Sequence, residues 1–162
     1  MSITFLNIGM AGTGKSTFSA RLNLWLSAKN KIEINQDTGL NKNVTLINLD
    51  PAILKTKMPL DIDIREYFDI EQVMKDYNLG PNGSVTTILN LFMLQWNGKI
   101  DGKYCVIDTP GQIEAFVWSN SGKVLVQKMI EKNNYYQIKE SFEEIDTLKS
   151  QNELQKDLEN ES

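Results

Sequence analysis

The sequence contains no histidine and only one cysteine among 162 residues. Without histidine there is no Ser–His–Asp triad, no imidazole metal ligand and no imidazole general base. Chemistry must come from Asp, Glu, Gln, Lys and bound metal. The single cysteine, Cys105, excludes an intramolecular disulfide. Within the apolar run Tyr104–Ile107 it reads as an inert buried thiol. No apolar run is long enough to span a bilayer. The start lacks the basic residues and small-residue cleavage site of a signal peptide. The expectation is a soluble, cytoplasmic protein without membrane contact. A basic excess is also lacking, since the net charge is −4. Residues 127–162 hold five Lys against nine Asp and Glu, and the first 126 residues balance at twelve of each sign. A neutral body with an acidic end excludes the basic face that direct nucleic-acid binding needs.

Hydrophobic residues make up 41% and charged residues 23% of the chain, which is ordinary globular usage and enough for one core. One stretch organises the rest. Gly9-Met10-Ala11-Gly12-Thr13-Gly14-Lys15-Ser16-Thr17 fits G-x-x-x-x-G-K-[ST], the phosphate-binding P-loop. Glycines let the backbone turn so that its N–H groups form a nest for phosphate oxygens. Gly12, Thr13, Gly14, Lys15, Ser16 and Thr17 are therefore candidate nucleotide-binding residues. Lys15 carries a mobile positive charge to the phosphates, and the Ser16 hydroxyl can ligate Mg²⁺. Ile3–Ile8 reads as a buried strand before the loop. Phe18, Leu22, Trp25 and Leu26 recur at helical spacing after it, which predicts a helix from about Ser16 to Ala28. Strand, loop and helix are the setting the motif requires.

Residues 35–43 are polar and read as a surface loop. Val44–Leu49 is a second strand that ends at Asp50-Pro51. Proline restricts the residue before it, so Asp50 is fixed at the carboxyl end of a parallel strand, where α/β sheets bind ligands. Asp50 is a candidate catalytic or Mg²⁺-related residue, against the plainer reading of a turn aspartate. Residues 61–77 read as a helical region with an acidic start. Asn78–Ser84, rich in Gly, Pro and Asn, reads as a rigid exposed turn, with Ser84 capping a helix that carries Ile88, Leu89, Phe92 and Met93 on one side. Tyr104–Ile107 is the third strand. Asp108-Thr109-Pro110-Gly111-Gln112 follows it and matches D-x-x-G, the metal and γ-phosphate sensor of GTPases. Asp108 can hold Mg²⁺, the Gly111 N–H can meet the γ-phosphate, and Gln112 or Glu114 can orient a water. From Lys128 the chain is charged and lacks Gly and Pro. Ile138, Phe142, Ile145 and Leu148 form one stripe, and Leu154 and Leu158 another, which reads as amphipathic helix packed on its own domain or on a partner. The domain division expected is 1–126 for a P-loop domain and 127–162 for an acidic helical tail.

Together the motifs resemble the GPN-loop GTPase family, with wording closest to its eukaryotic GPN-loop GTPase 1 branch. The resemblance is carried by Gly12–Thr17, Asn48-Leu49-Asp50-Pro51-Ala52, Asp63-Ile64-Arg65-Glu66, Leu79-Gly80-Pro81-Asn82-Gly83, Asp108–Glu114 and Phe116-Val117-Trp118-Ser119. It implies an α/β P-loop NTPase fold, a mostly parallel sheet with flanking helices. It also implies Mg²⁺-dependent hydrolysis of GTP by a homodimer, or by a heterodimer with another family member. Gly80, Pro81 and Asn82 of one subunit would reach the nucleotide site of the other, where Asn82 helps place the attacking water. Asp50, Gln112 and Glu114 would serve catalysis with it. The family's eukaryotic members assist assembly and nuclear import of RNA polymerase II, which makes its subunits candidate partners and implies a cytoplasmic pool that shuttles to the nucleus. The guanine-reading N/T-K-x-D segment does not follow Gln112, and part of the expected domain is absent after Val126. This leaves two further readings open at the level of sequence: a catalytically degenerate dimerisation or partner-binding module, and a P-loop ATPase.

Overall fold

The computed structural model describes residues 2–29, 38, 40 and 42–133. Four strands form one sheet: β1 (Ile3–Asn7), β2 (Val44–Asn48), β3 (Ile62–Asp63) and β4 (Tyr104–Asp108). Their order is β1-β4-β2-β3, and every pairing is parallel. The register aligns the strand ends. Asn7 pairs with Asp108, Asp108 with Asn48, and Asn48 with Asp63. The last residues of all four strands therefore lie in one row across the carboxyl edge of the sheet. Hydrophobic strands ending together in Asn, Asp, Asn and Asp place polar groups where a doubly covered sheet offers its ligand crevice.

Side-chain alternation along the strands divides the core into two layers. Leu46 and Val106 pack with Leu26 of helix α1 (Lys15–Lys29) on one face. Ile47, Cys105 and Ile107 pack on the other against helices α2 (Ile70–Asp76), α3 (Pro81–Gln95), α4 (Ile113–Val117) and α5 (Asn120–Asn133). The α3 stripe is buried as its spacing predicts, with Ile88, Leu89, Phe92 and Met93 all inside. The Lys128 ammonium on α5 donates to the carbonyls of Met93 and Trp96, satisfying the open end of α3. Cys105 is fully buried, and burial pushes its thiol up to about 12, which fits an inert core residue. No helix among the described residues is long and apolar enough to cross a membrane.

Three local expectations give way to tertiary context. Residues 61–66 are not helical at their start: Ile62–Asp63 forms strand β3, a 3₁₀ turn covers Ile64–Glu66, and α2 begins only at Ile70. Pairing with the end of β2 captures these residues before a helix can begin. Ser84 does not cap α3. The helix starts earlier, with Gly80 as N-cap and Pro81 in the first turn, where its fixed φ suits a helix and its missing N–H costs nothing. The Ser84 hydroxyl instead bonds back to the Gly80 carbonyl at 3.0 Å. Finally, the apolar stripe of α1 is only half buried. Leu22 and Leu26 pack in the core, with Ser19, Asn23 and Ser27 buried beside them, while Phe18 and Trp25 are 58% and 57% exposed. The reason is at the loop, where the Asn7 amide donates to the Lys15 carbonyl at 2.7 Å and to the Ser19 hydroxyl at 3.0 Å. Those bonds fix the rotation of the helix and turn its small polar residues inward.

Helix α5 runs unbroken across Val126–Gln127, where the composition changes. The surface-loop expectation for residues 35–43 falls mostly outside the described residues. The tail stripes from Ile138 to Leu158 fall wholly outside them.

Candidate functional site

The P-loop leaves β1 at Asn7 and enters α1 at Lys15. Gly12 and Gly14 take φ values of +80° and +91°, a region open to glycine and costly for other residues. The loop from Met10 to Gly14 is exposed, with Thr13 N–H donating to the Met10 carbonyl at 3.3 Å. The Lys15 ammonium donates to the Met10 carbonyl at 3.0 Å, and the Thr13 hydroxyl donates to the same carbonyl at 2.8 Å. The ammonium thus rests on the loop that precedes it.

The Asp108–Gln112 segment lies directly against the P-loop. Ala11 N–H donates to the Gly111 carbonyl at 3.0 Å. A Cβ on Gly111 would sit 3.0 Å from the Ala11 Cβ, so only glycine allows this approach without displacement. Asp108 is buried at the end of β4, beside the start of α1. Its carboxylate accepts from the Ser19 hydroxyl at 3.5 Å and is stabilised by the nearby Ser16 hydroxyl. Burial pushes the Asp108 carboxyl above its ordinary value, and the nearby Asp50 charge adds to this. The Ser16 and Ser19 hydroxyls and the Lys15 charge oppose it. Ser16 and Asp108 share a cleft of about 10 Å³ with Asn48, Ile53, Thr56, Lys57, Met58 and Leu60, which is room for roughly one water-sized group. Oxygen donors at a cleft of that size fit a hard cation such as Mg²⁺, which takes few protein ligands and completes its shell with water and phosphate.

Asp50 meets the same loop from β2. Its carboxylate accepts from Gly111 N–H at 3.3 Å and from Ala52 N–H at 2.9 Å. Asn48 clamps the Asp50 backbone on both sides: its amide oxygen accepts from Asp50 N–H at 3.0 Å, and its amide nitrogen donates to the Asp50 carbonyl at 3.1 Å. The same nitrogen donates to Asp63 at 2.9 Å. Arg65 completes the chain. Its guanidinium grips the Asp63 carboxylate at 2.5–3.1 Å and the Ile53 carbonyl at 3.0 Å. Burial pushes the Asp63 carboxyl up, but the hydrogen bonds from Arg65 and Asn48 more than offset it and leave it below the ordinary aspartate value.

That shift has a testable consequence. A carboxyl whose folded pKa lies below its unfolded value, about 3.9, stabilises the fold above that pH. The contribution is lost as pH falls toward the folded value. Arg65→Met should therefore cost about 2 kcal/mol at neutral pH, because it strands a buried carboxylate. The gap from wild type should narrow below about pH 4. Urea unfolding at both pH values measures it. A gap that stays constant with pH would mean that the Asp63–Arg65 ion pair is not its source.

The remaining sequence candidates divide. Gln112 sits at the N-cap of α4, and its amide oxygen is buried with no partner among the described residues. Glu114 is exposed in the first turn of α4. Thr17 is exposed on α1 and accepts a hydrogen bond from Lys57 at 2.6 Å. Gly80, Pro81 and Asn82 are exposed at the start of α3, and no hydrogen bond or ion pair among the described residues joins them to the P-loop. The structure thus brings Lys15, Ser16, Asp50, Asp108 and Gly111 together and leaves Asn82 apart. Sequence reasoning assigned no role to Asn48, Asp63, Arg65 or Lys57. The row of polar strand ends was the signal available for the first two.

A family model described as "conserved hypothetical ATP binding protein" matches residues 7–139. GPN-loop GTPase 1 of Saccharomyces cerevisiae is 42% identical over 132 residues, 76% of this chain and 31% of that protein. GPN-loop GTPase 1 of Schizosaccharomyces pombe is 43% identical over 126 residues, again 31% of its length. GPN-loop GTPase QQT2 of Arabidopsis thaliana is 36% identical over 128 residues, 74% of this chain and 31% of that protein. The chain therefore spans about a third of the length of the curated relatives it matches, 31% in each of these three. Among solved structures, PAB0955, a GTPase in apo form from Pyrococcus abyssi, superposes with a TM-score of 0.63 at 25% identity over 78% of this chain and 49% of that one.

Proposed function

We propose, for a chain that belongs to the GPN-loop GTPase family, that it binds the triphosphate of GTP with Mg²⁺ in the P-loop and hydrolyses it as a dimer. The observation that carries this reading is the convergence of the ends of β2 and β4 on the P-loop that leaves β1. Asp108 from β4 reaches Ser16, Asp50 from β2 reaches Gly111, and Gly111 is bonded to Ala11 of the P-loop. The backbone of Gly12–Gly14 and the Lys15 ammonium would hold the phosphates. Ser16 and Asp108 would hold the cation, directly or through water. The cation, when bound, neutralises charge that builds on the transferred phosphoryl oxygens. Asp50, held by Asn48, accepts from the Gly111 N–H, and a terminal phosphate would compete with it for that donor. The unpartnered Gln112 oxygen would orient a water.

Mg²⁺ dependence tests the core of the proposal. Chelation of Mg²⁺ should weaken GTP binding to the wild type by tenfold or more, about 1.4 kcal/mol. In Asp108→Asn, Mg²⁺ should make little difference. Calorimetric titration with and without chelator reads both. Equal Mg²⁺ dependence in the two proteins would remove Asp108 from the cation site. At the cellular level we extend the resemblance to a role in RNA polymerase II assembly and nuclear import. It would act from a cytoplasmic pool that shuttles to the nucleus, and co-purification of tagged protein with polymerase subunits tests it.

A further inference from the structure

The segment between β2 and β3 is anchored at both ends. Arg65 holds the carbonyls of Ile53 and Leu54 at 3.0 and 3.3 Å. Asp61 exchanges backbone and side-chain bonds with Leu46, its carboxylate accepting from Leu46 N–H at 2.7 Å. Between these anchors, Met58 and Leu60 pack on the α1 side of the core. Lys57 therefore sits on a fixed scaffold. Its ammonium donates to the Thr17 hydroxyl at 2.6 Å, and its side chain lines the cleft of Ser16 and Asp108.

That placement leaves the Lys57 ammonium without an acidic partner among the described residues, Asp108 and Asp50 included. Thr17 is in the first turn of α1, where the helix dipole repels cations. That turn has no acidic side chain and already contains Lys15. An ammonium held at a helix N-terminus by one neutral hydroxyl has two N–H groups left to give. A polyphosphate in the P-loop would supply the charge that this arrangement lacks.

We propose that Lys57 is a second cationic contact to the polyphosphate of the bound nucleotide, delivered by the β2–β3 segment rather than by the loop. The inference rests on the P-loop binding a nucleotide, and it adds a residue that the P-loop motif does not contain. Lys57→Met and Lys57→Arg, with Lys15→Ala as reference, separate the two claims. The probes are GTP with Mg²⁺ and inorganic tripolyphosphate, each titrated at low and high salt. Lys57→Met should weaken both probes about tenfold at low salt, with a smaller loss at high salt where the charge is screened. Lys57→Arg should retain most of the affinity, and thermal unfolding of the free protein should not change. Wild-type affinity in Lys57→Met overturns the inference, while loss of binding in Lys15→Ala leaves the nucleotide reading standing. A wild type that binds neither probe overturns both.

Discussion

Lys15→Ala is expected to lower the affinity for GTP with Mg²⁺ by a hundredfold or more, about 2.8 kcal/mol, and to leave the unfolding transition unchanged. The two halves of that expectation come from one geometry. Lys15 is half-buried at the start of α1, and among the described residues its ammonium has a single hydrogen-bond partner, the Met10 carbonyl of its own loop. Removing it takes away an exposed hydrogen bond worth little to folding. The fold of the loop does not depend on it. Gly12 and Gly14 set the turn, Asn7 holds the Lys15 backbone carbonyl, and Ala11 is tied to Gly111. What is lost is the positive charge that neutralises phosphate in a nest of N–H groups, where charge-assisted bonds are strongest. Calorimetry and thermal unfolding of the two proteins measure both halves. Unchanged affinity would show that the loop does not bind phosphate. Lost affinity with a lowered unfolding temperature would show that Lys15 also supports the fold.

The placement of the candidate site was legible in the sequence wherever a residue type is required by local backbone, belongs to the phosphate-loop pattern or closes an apolar run. Gly12, Gly14 and Lys15 are of that kind, and so are Asp50 and Asp108, which announce themselves by ending apolar strands. Residues that act through other residues were not legible. Asn48 reads as the polar end of a strand, and only the register with Asp63 and Asp108 shows that it clamps Asp50. Strand β3 is two residues long, too short for any period to declare it, so Asp63 and Arg65 looked like the start of a helix. In α1 the spacing of Phe18, Leu22, Trp25 and Leu26 is a true helical signal, but only Leu22 and Leu26 of that stripe pack in the core. Hydrogen bonds from Asn7 set the rotation of that helix, and amphipathicity does not record them. Lys57 carries no local signature at all. Its position beside Thr17 is made by the packing of Met58 and Leu60 and the grip of Arg65, all of them long-range.

Asn82→Ala is expected to reduce GTP turnover by about a hundredfold, the scale seen when one positioned donor to a reacting group is removed, and to abolish its dependence on protein concentration. The structure presents Asn82 for such a role without using it internally. Helix α2 ends at Asp76, Asn78 takes a left-handed φ of +50°, and Leu79 N–H closes the turn on the Met74 carbonyl. Gly80 then caps α3, and Pro81 starts it. Asn82 is thus fixed on the first turn of a 15-residue helix whose body is core, so presenting its amide costs little conformational entropy. Its backbone carbonyl accepts from Thr86 at 3.0 Å. Its side chain has no partner among the described residues, and nothing ties it to its own P-loop. With no histidine in the sequence, water activation would draw on positioning rather than on a strong base. A second copy that inserts Asn82 beside Gln112 would position the water without a strong base. Turnover per molecule should then rise with concentration as dimer forms in the wild type and stay flat in Asn82→Ala. Equal turnover in both proteins at all concentrations would reduce Gly80-Pro81-Asn82 to a connection between α2 and α3. Concentration dependence that persists in the variant would place dimerisation elsewhere on the surface and leave Asn82 without a part in it.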